Sequence, residues 1–287
     1  MVNGIFYPNG RETLIAQLSS WGLRDGFIRN VTGRLPGKED GSSAGVQAIL
    51  APHCAWELAG KITGLAFAAV QEREENGGKP VSRVLLFGTH HNFAEEGIYL
   101  SESAFFDTPL GGLVVDQELN QQLASCSSLI KVYDIPHLSE HALEVLLPLV
   151  KYCFPAATIV PILMAGTKPA LISGLASALK TVLGNDAGEN LFVISSNVSI
   201  NSDPALALSM ADEFRSLIEK MDTQAFLEGL AGGCISACGG AIIGALLESE
   251  LLNGKHFSSL SPMVQATGEN GETVYCGAFD CAPGRYV

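Results

Sequence analysis

Short apolar runs that stop at glycine, proline or a polar loop recur along this chain, and between them lie longer stretches with apolar residues at helical spacing. Val84–Phe87 is one such run; Gly88 ends it and hands Thr89, His90 and His91 to a loop. Val46–Pro52 has the same form and delivers His53 just before a helical pattern that begins at Trp56. A strand that ends this way presents polar side chains at its carboxyl edge, where an α/β fold keeps its chemistry. Two strand-end histidines point to one site.

Leu14, Ile15, Leu18 and Trp21 predict an amphipathic helix over Glu12–Trp21, behind an extended segment at Phe6-Tyr7-Pro8. Gly33–Ser43, rich in glycine, proline and charge, reads as a loop into a strand over Val46–Leu50. After His53, the residues Leu58, Ile62, Leu65, Ala66 and Ala69 mark the buried stripe of a helix over Trp56–Glu72. Beyond His91 the pattern predicts strands at Gly97–Ser101, Leu113–Val115, Ser128–Tyr133, Thr158–Leu163 and Asn190–Ser195. Helices fall between them: one capped by Asp116 and running through Ala124, one from Ser139 and Glu140 to about Tyr152, and one over Lys168–Leu183. Pro204–Met221, Thr223–Leu230 and Ile235–Leu252 predict three more, with Cys238 in the first turns of the last. Met263–Thr267 and Thr273–Phe279 predict a closing hairpin across Gly268–Gly271. Strands alternating with helices predict a single α/β domain over 1–287, with a mixed, mostly parallel central sheet, helices on both faces and antiparallel strands at the edge.

With 47% apolar and 16% charged residues over 287 positions, the chain can bury a substantial core and is expected to fold throughout. A net charge of −13, with no local cluster of lysine and arginine, repels phosphate backbones and anionic lipid. Neither nucleic acid nor a membrane surface is an expected partner. No apolar run approaches the roughly 18 residues of a bilayer span. The opening MVNGIFYPNGRE lacks a basic stretch followed by an apolar one, so a cytoplasmic location is expected. Seven cysteines, at Cys54, Cys126, Cys153, Cys234, Cys238, Cys276 and Cys281, make no disulfide framework in a chain of this length. Reduced thiols are expected.

The histidines divide by context. His137 and His256 read as ordinary hydrogen-bonded residues, as lone histidines usually are. His53 and His90 both follow apolar runs, and Pro52 and Gly88 permit turns that aim the rings inward, which favours a shared site. Alternate side chains of an extended segment point opposite ways, which places His91 at the rim if His90 faces in. Cys234 and Cys238 lie four apart, on one helical face, but the following Gly239-Gly240 fits a tightly packed helix start equally well, and spacing alone favours that. A thiol near a helix N-terminus has its thiolate favoured, so a nucleophilic Cys–His pair stays open. Glu140, His141 and Glu144 suit acid–base work and a solvated helix face about equally. The C-x-x-C spacing of structural zinc and the glycine-rich phosphate motifs are absent, so nucleotide chemistry lacks its usual grounds.

Taken in order, Phe6-Tyr7-Pro8, Ala51-Pro52-His53, Gly88-Thr89-His90-His91, Asp107-Thr108-Pro109-Leu110-Gly111 with Asp116, Glu140-His141-Ala142-Leu143-Glu144 with Leu147-Pro148, Ser195-Ser196 and Cys238-Gly239 resemble the Memo family. Its bacterial and archaeal members are also called AmmeMemoRadiSam system protein B. The resemblance implies a fold similar to the class III extradiol dioxygenases, which hold non-haem Fe(II) on two histidines and a carboxylate; in Memo proteins a cysteine takes the carboxylate's place. It therefore implies His53, His90 and Cys238 as metal ligands, with iron the first expectation and copper or zinc the alternatives. Three positions depart from the family. Cys54-Ala55-Trp56 stands where it has Ala-Gly-Tyr, Asn197 where it has an aspartate, and Ile200 where the dioxygenase relatives have their acid–base histidine. Isoleucine carries no proton, which leaves proton transfer, worth about 10²–10⁴ in rate, to His141 or His91. The expectation is a dioxygenase-like oxidoreductase with a small aromatic or chelating ligand. Its alternative is a non-catalytic module that binds metal, a peptide or a partner protein, and a Cys238 hydrolase using His53 or His90 is a third reading.

Overall fold

The computed structural model describes residues 2–26, 47–92, 94–184, 190–268 and 270–283; the loop expected at Gly33–Ser43 lies outside the described residues. The chain runs through α1 (Arg11–Ser20), β1 (Gln47–Ala51), α2 (Trp56–Glu75) and β2 (Arg83–Thr89). It continues through β3 (Gly97–Leu100), β4 (Phe105–Phe106), β5 (Leu113–Val114), α3 (Gln117–Cys126) and β6 (Ile130–Val132). Three short helices follow, α4 (Ile135–Ser139), α5 (His141–Glu144) and α6 (Leu147–Cys153), then β7 (Thr158–Ala165), α7 (Pro169–Leu183) and β8 (Asn190–Ser195). After β9 (Ser199–Asn201) come α8 (Pro204–Lys220), α9 (Thr223–Ala231) and α10 (Gly240–Glu248). The last strands are β10 (Lys255–Ser259), β11 (Val264–Thr267), β12 (Thr273–Cys276) and β13 (Phe279–Pro283).

The main sheet has eight strands in the order β10-β13-β1-β8-β2-β7-β3-β6. Its centre, β1-β8-β2-β7, is parallel. β13 and β10 add antiparallel strands on one side. On the other, β3 runs antiparallel to β7 and carries β6 parallel to itself. Because β8 returns late in the chain and inserts between β1 and β2, the carboxyl ends of those three strands lie side by side. Open α/β sheets bind ligands at such an edge.

The central strands are buried on both faces, which is why they read as apolar runs. Period-two alternation still sorts their side chains. Ala48, Leu50, Leu85 and Phe87 share a core with Leu171, Phe214 and Ile242 from α7, α8 and α10. Ile49, Ala51, Val84 and Leu86 share the other with Leu14, Phe67 and Leu149 from α1, α2 and α6. Among the described residues no helix is long and apolar enough to cross a membrane.

Besides short elements the sequence reading did not include, among them α4, β4, β9 and β10, the structure alters three of the predicted ones. The helix expected from Ser139 to about Tyr152 is broken, because Glu140 is extended (φ −104°, ψ 131°) and Pro148, which has no N–H to donate, opens a separate helix. Cys238 stands before α10 rather than in its first turns, and that helix ends at Glu248. The hairpin forms as β11 and β12, but β12 also pairs with β9 in a separate three-stranded sheet, and Phe279 starts β13, which rejoins the main sheet.

Candidate metal centre

Histidine 53 leaves the end of β1 beside the end of β8, where Ala51 is in register with Ser195. The hydroxyl of Ser195 donates to the Ala142 carbonyl at 2.5 Å. That spends its only proton, so it accepts from His53 Nδ1 at 2.9 Å. His53 is thereby fixed with Nδ1 protonated and Nε2 presented to the site. All three groups are buried.

Two residues past β2, His91 is held by one carboxylate. Glu140 accepts from the His91 main-chain N–H at 2.7 Å and, through its other oxygen, from His91 Nδ1 at 2.9 Å. The latter oxygen also caps α5 through Ala142 N–H at 2.9 Å and faces His141 Nδ1 at 3.1 Å. Gly88 permits this close approach, since a Cβ there would come within 2.7 Å of Leu143 in α5. Burial by itself would raise the Glu140 carboxyl, but the bonds from His141 and His91 outweigh it and hold the acid far below its usual range.

The rings of His53, His91 and His141 meet. His91 and His141 stack with centroids 4.9 Å apart, and His53 stands edge-on to each at 5.1 and 5.4 Å. One nitrogen from each of the three falls within 4.8 Å of the others, a group able to hold a metal ion. With every Nδ1 already facing an acceptor, Nε2 is the nitrogen each ring has left.

A cysteine sulfur lies beside these rings. Cys238 Sγ lies 3.3 Å from His53 Nε2 and accepts the Asn197 N–H at 3.0 Å. Gly239 lets the chain pass this close to β8: its N–H donates to Ser196 Oγ at 2.9 Å, and a Cβ there would come within 2.7 Å of Ser196. Burial raises the thiol, yet His53 and His91 overcome that and leave its pKa well below the ordinary value. Their rings respond in the opposite sense: burial lowers both, while Cys238 raises His53, and Cys238 with Glu140 pushes His91 up to about 10.

His53 and Cys238 are together, but His90 is not in the three-histidine group. Its N–H extends the β2–β7 ladder by donating to Met164 O at 2.9 Å; its ring faces Ser139 Oγ at 3.4 Å and accepts the Asn92 N–H at 3.2 Å. Alternation along the extended segment holds with the opposite parity, so His91 faces in. Of the two acids in the Glu140–Glu144 cluster, Glu140 is the buried anchor of two histidines, whereas Glu144 ties down the N-terminal segment through the Val2 N–H at 2.7 Å. Ile200 is 41% exposed on β9, and its N–H donates to Ser236 Oγ at 3.1 Å. Ser195 as the anchor of His53 could not be read from spacing. Its signals were its place at the end of an apolar run and its part in the Ser195-Ser196 motif, neither of which gives it this role.

A family described as Memo-like protein matches residues 1–269. A MEMO1 family protein of Thermotoga neapolitana is 27% identical over 249 residues, covering 86% of each chain. One from Aeropyrum pernix is 28% identical over 272 residues, covering 94% of this chain and 91% of its own. A solved structure of an uncharacterized protein from Escherichia coli K12 is 14% identical, with a TM-score of 0.49 over 82% of this chain and 98% of that one.

Proposed function

The chain belongs to the Memo-like family, and from that premise we propose that it holds one first-row transition metal ion, iron(II) before copper or zinc, between His53, His91 and Cys238. On this reading it is a dioxygenase-like oxidoreductase for a small aromatic or otherwise chelating ligand. The observation that carries it is the engagement of Nδ1 in both ligand rings, on Ser195 and on Glu140, which leaves Nε2 as the remaining nitrogen of each, that of His53 lying 3.3 Å from the Cys238 sulfur. Metal-ligating histidines are oriented this way in general. Two imidazoles and a thiolate suit iron(II), copper and zinc, and the anionic sulfur offsets part of the cation's charge.

Held by His53, His91 and Cys238, iron or copper would supply redox chemistry towards O₂, and zinc would supply Lewis acidity alone. The chain's residues do the rest. Ser195 and Glu140 fix the two ligand rings, and the Asn197 N–H steadies the sulfur. His141, half-buried against Phe6 with its Nδ1 on Glu140, takes or returns a proton at Nε2. It supplies the proton transfer for which Ile200 carries no group.

Oxygen uptake by protein loaded anaerobically with Fe(II) and given a panel of catechols tests this. Uptake with at least one catechol is expected, and His141→Gln should keep its iron while losing about 10²–10⁴ in rate. Iron lost from His141→Gln would make His141 a ligand rather than a proton carrier, and iron-loaded wild-type protein inert to every catechol would count against turnover. Ile200, exposed and unable to carry a proton, favours one second reading: a non-catalytic module whose metal centre helps recognise a peptide or a partner protein.

A further inference from the structure

Two thiols beside the metal centre play no part in the reading above. Cys54 follows His53 just past β1, and Cys276 ends β12 in the small sheet. They are 222 positions apart in sequence, yet their Sγ atoms lie 3.2 Å from each other. That is about 1.2 Å beyond a disulfide bond length, a gap that small side-chain rotations close. Both sulfurs also face Asn197 Oδ1, at 3.3 and 3.7 Å. Ala59, Ala266 and Val274 form the apolar wall around them. Cys276 is fully buried, whereas Cys54 is partly exposed, so a small oxidant reaches the pair from the Cys54 side.

We propose that Cys54 and Cys276 are an oxidation site, a dithiol that a small peroxide converts to a disulfide and a thiol reductant restores. The Cys54 sulfur attacks one peroxide oxygen, the O–O bond breaks, and the leaving hydroxide takes up the thiol proton as water, giving a sulfenic acid at Cys54. The Cys276 sulfur then attacks the Cys54 sulfur and forms the S–S bond; the sulfenic oxygen leaves as hydroxide and takes the Cys276 proton. Two thiols and one hydrogen peroxide become one disulfide and two waters, each sulfur giving up one electron. The bond ties the loop behind His53 to the small sheet. It also removes the S–H groups now facing Asn197 Oδ1.

The test uses the full-length chain in the presence of a chelator, so that it stands apart from the metal reading. Protein treated with equimolar hydrogen peroxide is denatured, alkylated, digested without reductant and mapped by mass spectrometry. The expected product joins the Cys54 and Cys276 peptides, two thiols escape alkylation, and dithiothreitol restores both. Cys238→Ser should still form the link, and Cys54→Ser should not. Cys54 and Cys276 both remaining alkylatable after peroxide, or Cys54 joined to Cys238 instead, would overturn the assignment.

Discussion

Ser195 decides which nitrogen of His53 faces the centre, and it does so with one proton. Donating to the Ala142 carbonyl leaves its oxygen able only to accept from His53 Nδ1. In Ser195→Ala the ring has no acceptor and can turn or change tautomer, so metal affinity should fall about 10- to 100-fold. Competition against a chelator of known affinity measures this, with circular dichroism confirming that the variant is folded. An affinity equal to wild type would remove Ser195 from the account. At the same scale, His90 and His91 show what a single residue of parity does: one closes a sheet ladder beside Ser139, and the other hangs from Glu140 over the site.

Among the elements, α3 and α4 make the most direct tests of how the fold is held. Asp116 caps α3 through the Leu119 N–H at 2.9 Å and pairs with Arg83 of β2 at 2.8 Å. Asp116→Ala should lower stability by about 1–2 kcal/mol in urea unfolding, and no change would mean the cap contributes nothing. In α4, burial pushes His137 down to about 4 although Asp134 opposes it. The unfolded chain takes up that proton near pH 6.5, while the folded chain resists until about pH 4. Its stabilising contribution is therefore complete above pH 6.5 and is lost as the pH falls towards 4, by about 3 kcal/mol in all. Urea unfolding of wild type and His137→Asn in the presence of a chelator should show the variant losing that much less over the same range. Parallel pH profiles would contradict the burial argument.

Seen as a whole molecule, the chain shows its architecture in its sequence more fully than its site. Runs such as Val84–Phe87 and Asn190–Ser195 are strands because burial on both faces demands apolar residues throughout, and Asp116 announces its cap. The insertion of β8 between β1 and β2 is not written in any local pattern, and it is this that brings Ser195 to His53. Glu140 reads equally as an acid–base group and as a charge on a helix face, because nothing nearby in sequence shows that Gly88 lets α5 press it against the end of β2. Cys54 and Cys276 carry no local signal of their pairing, since the fold brings the loop after β1 to the end of β12 across 222 positions. The proposed centre requires His53, His91 and Cys238 to act as one donor set. Its most direct measurement is iron per chain after anaerobic loading and desalting, compared across wild type, His53→Ala, His91→Ala, Cys238→Ala and His90→Ala. Stoichiometric iron in wild type and His90→Ala, with loss in the other three, is the predicted result; iron retained by His91→Ala and lost from His90→Ala would contradict it.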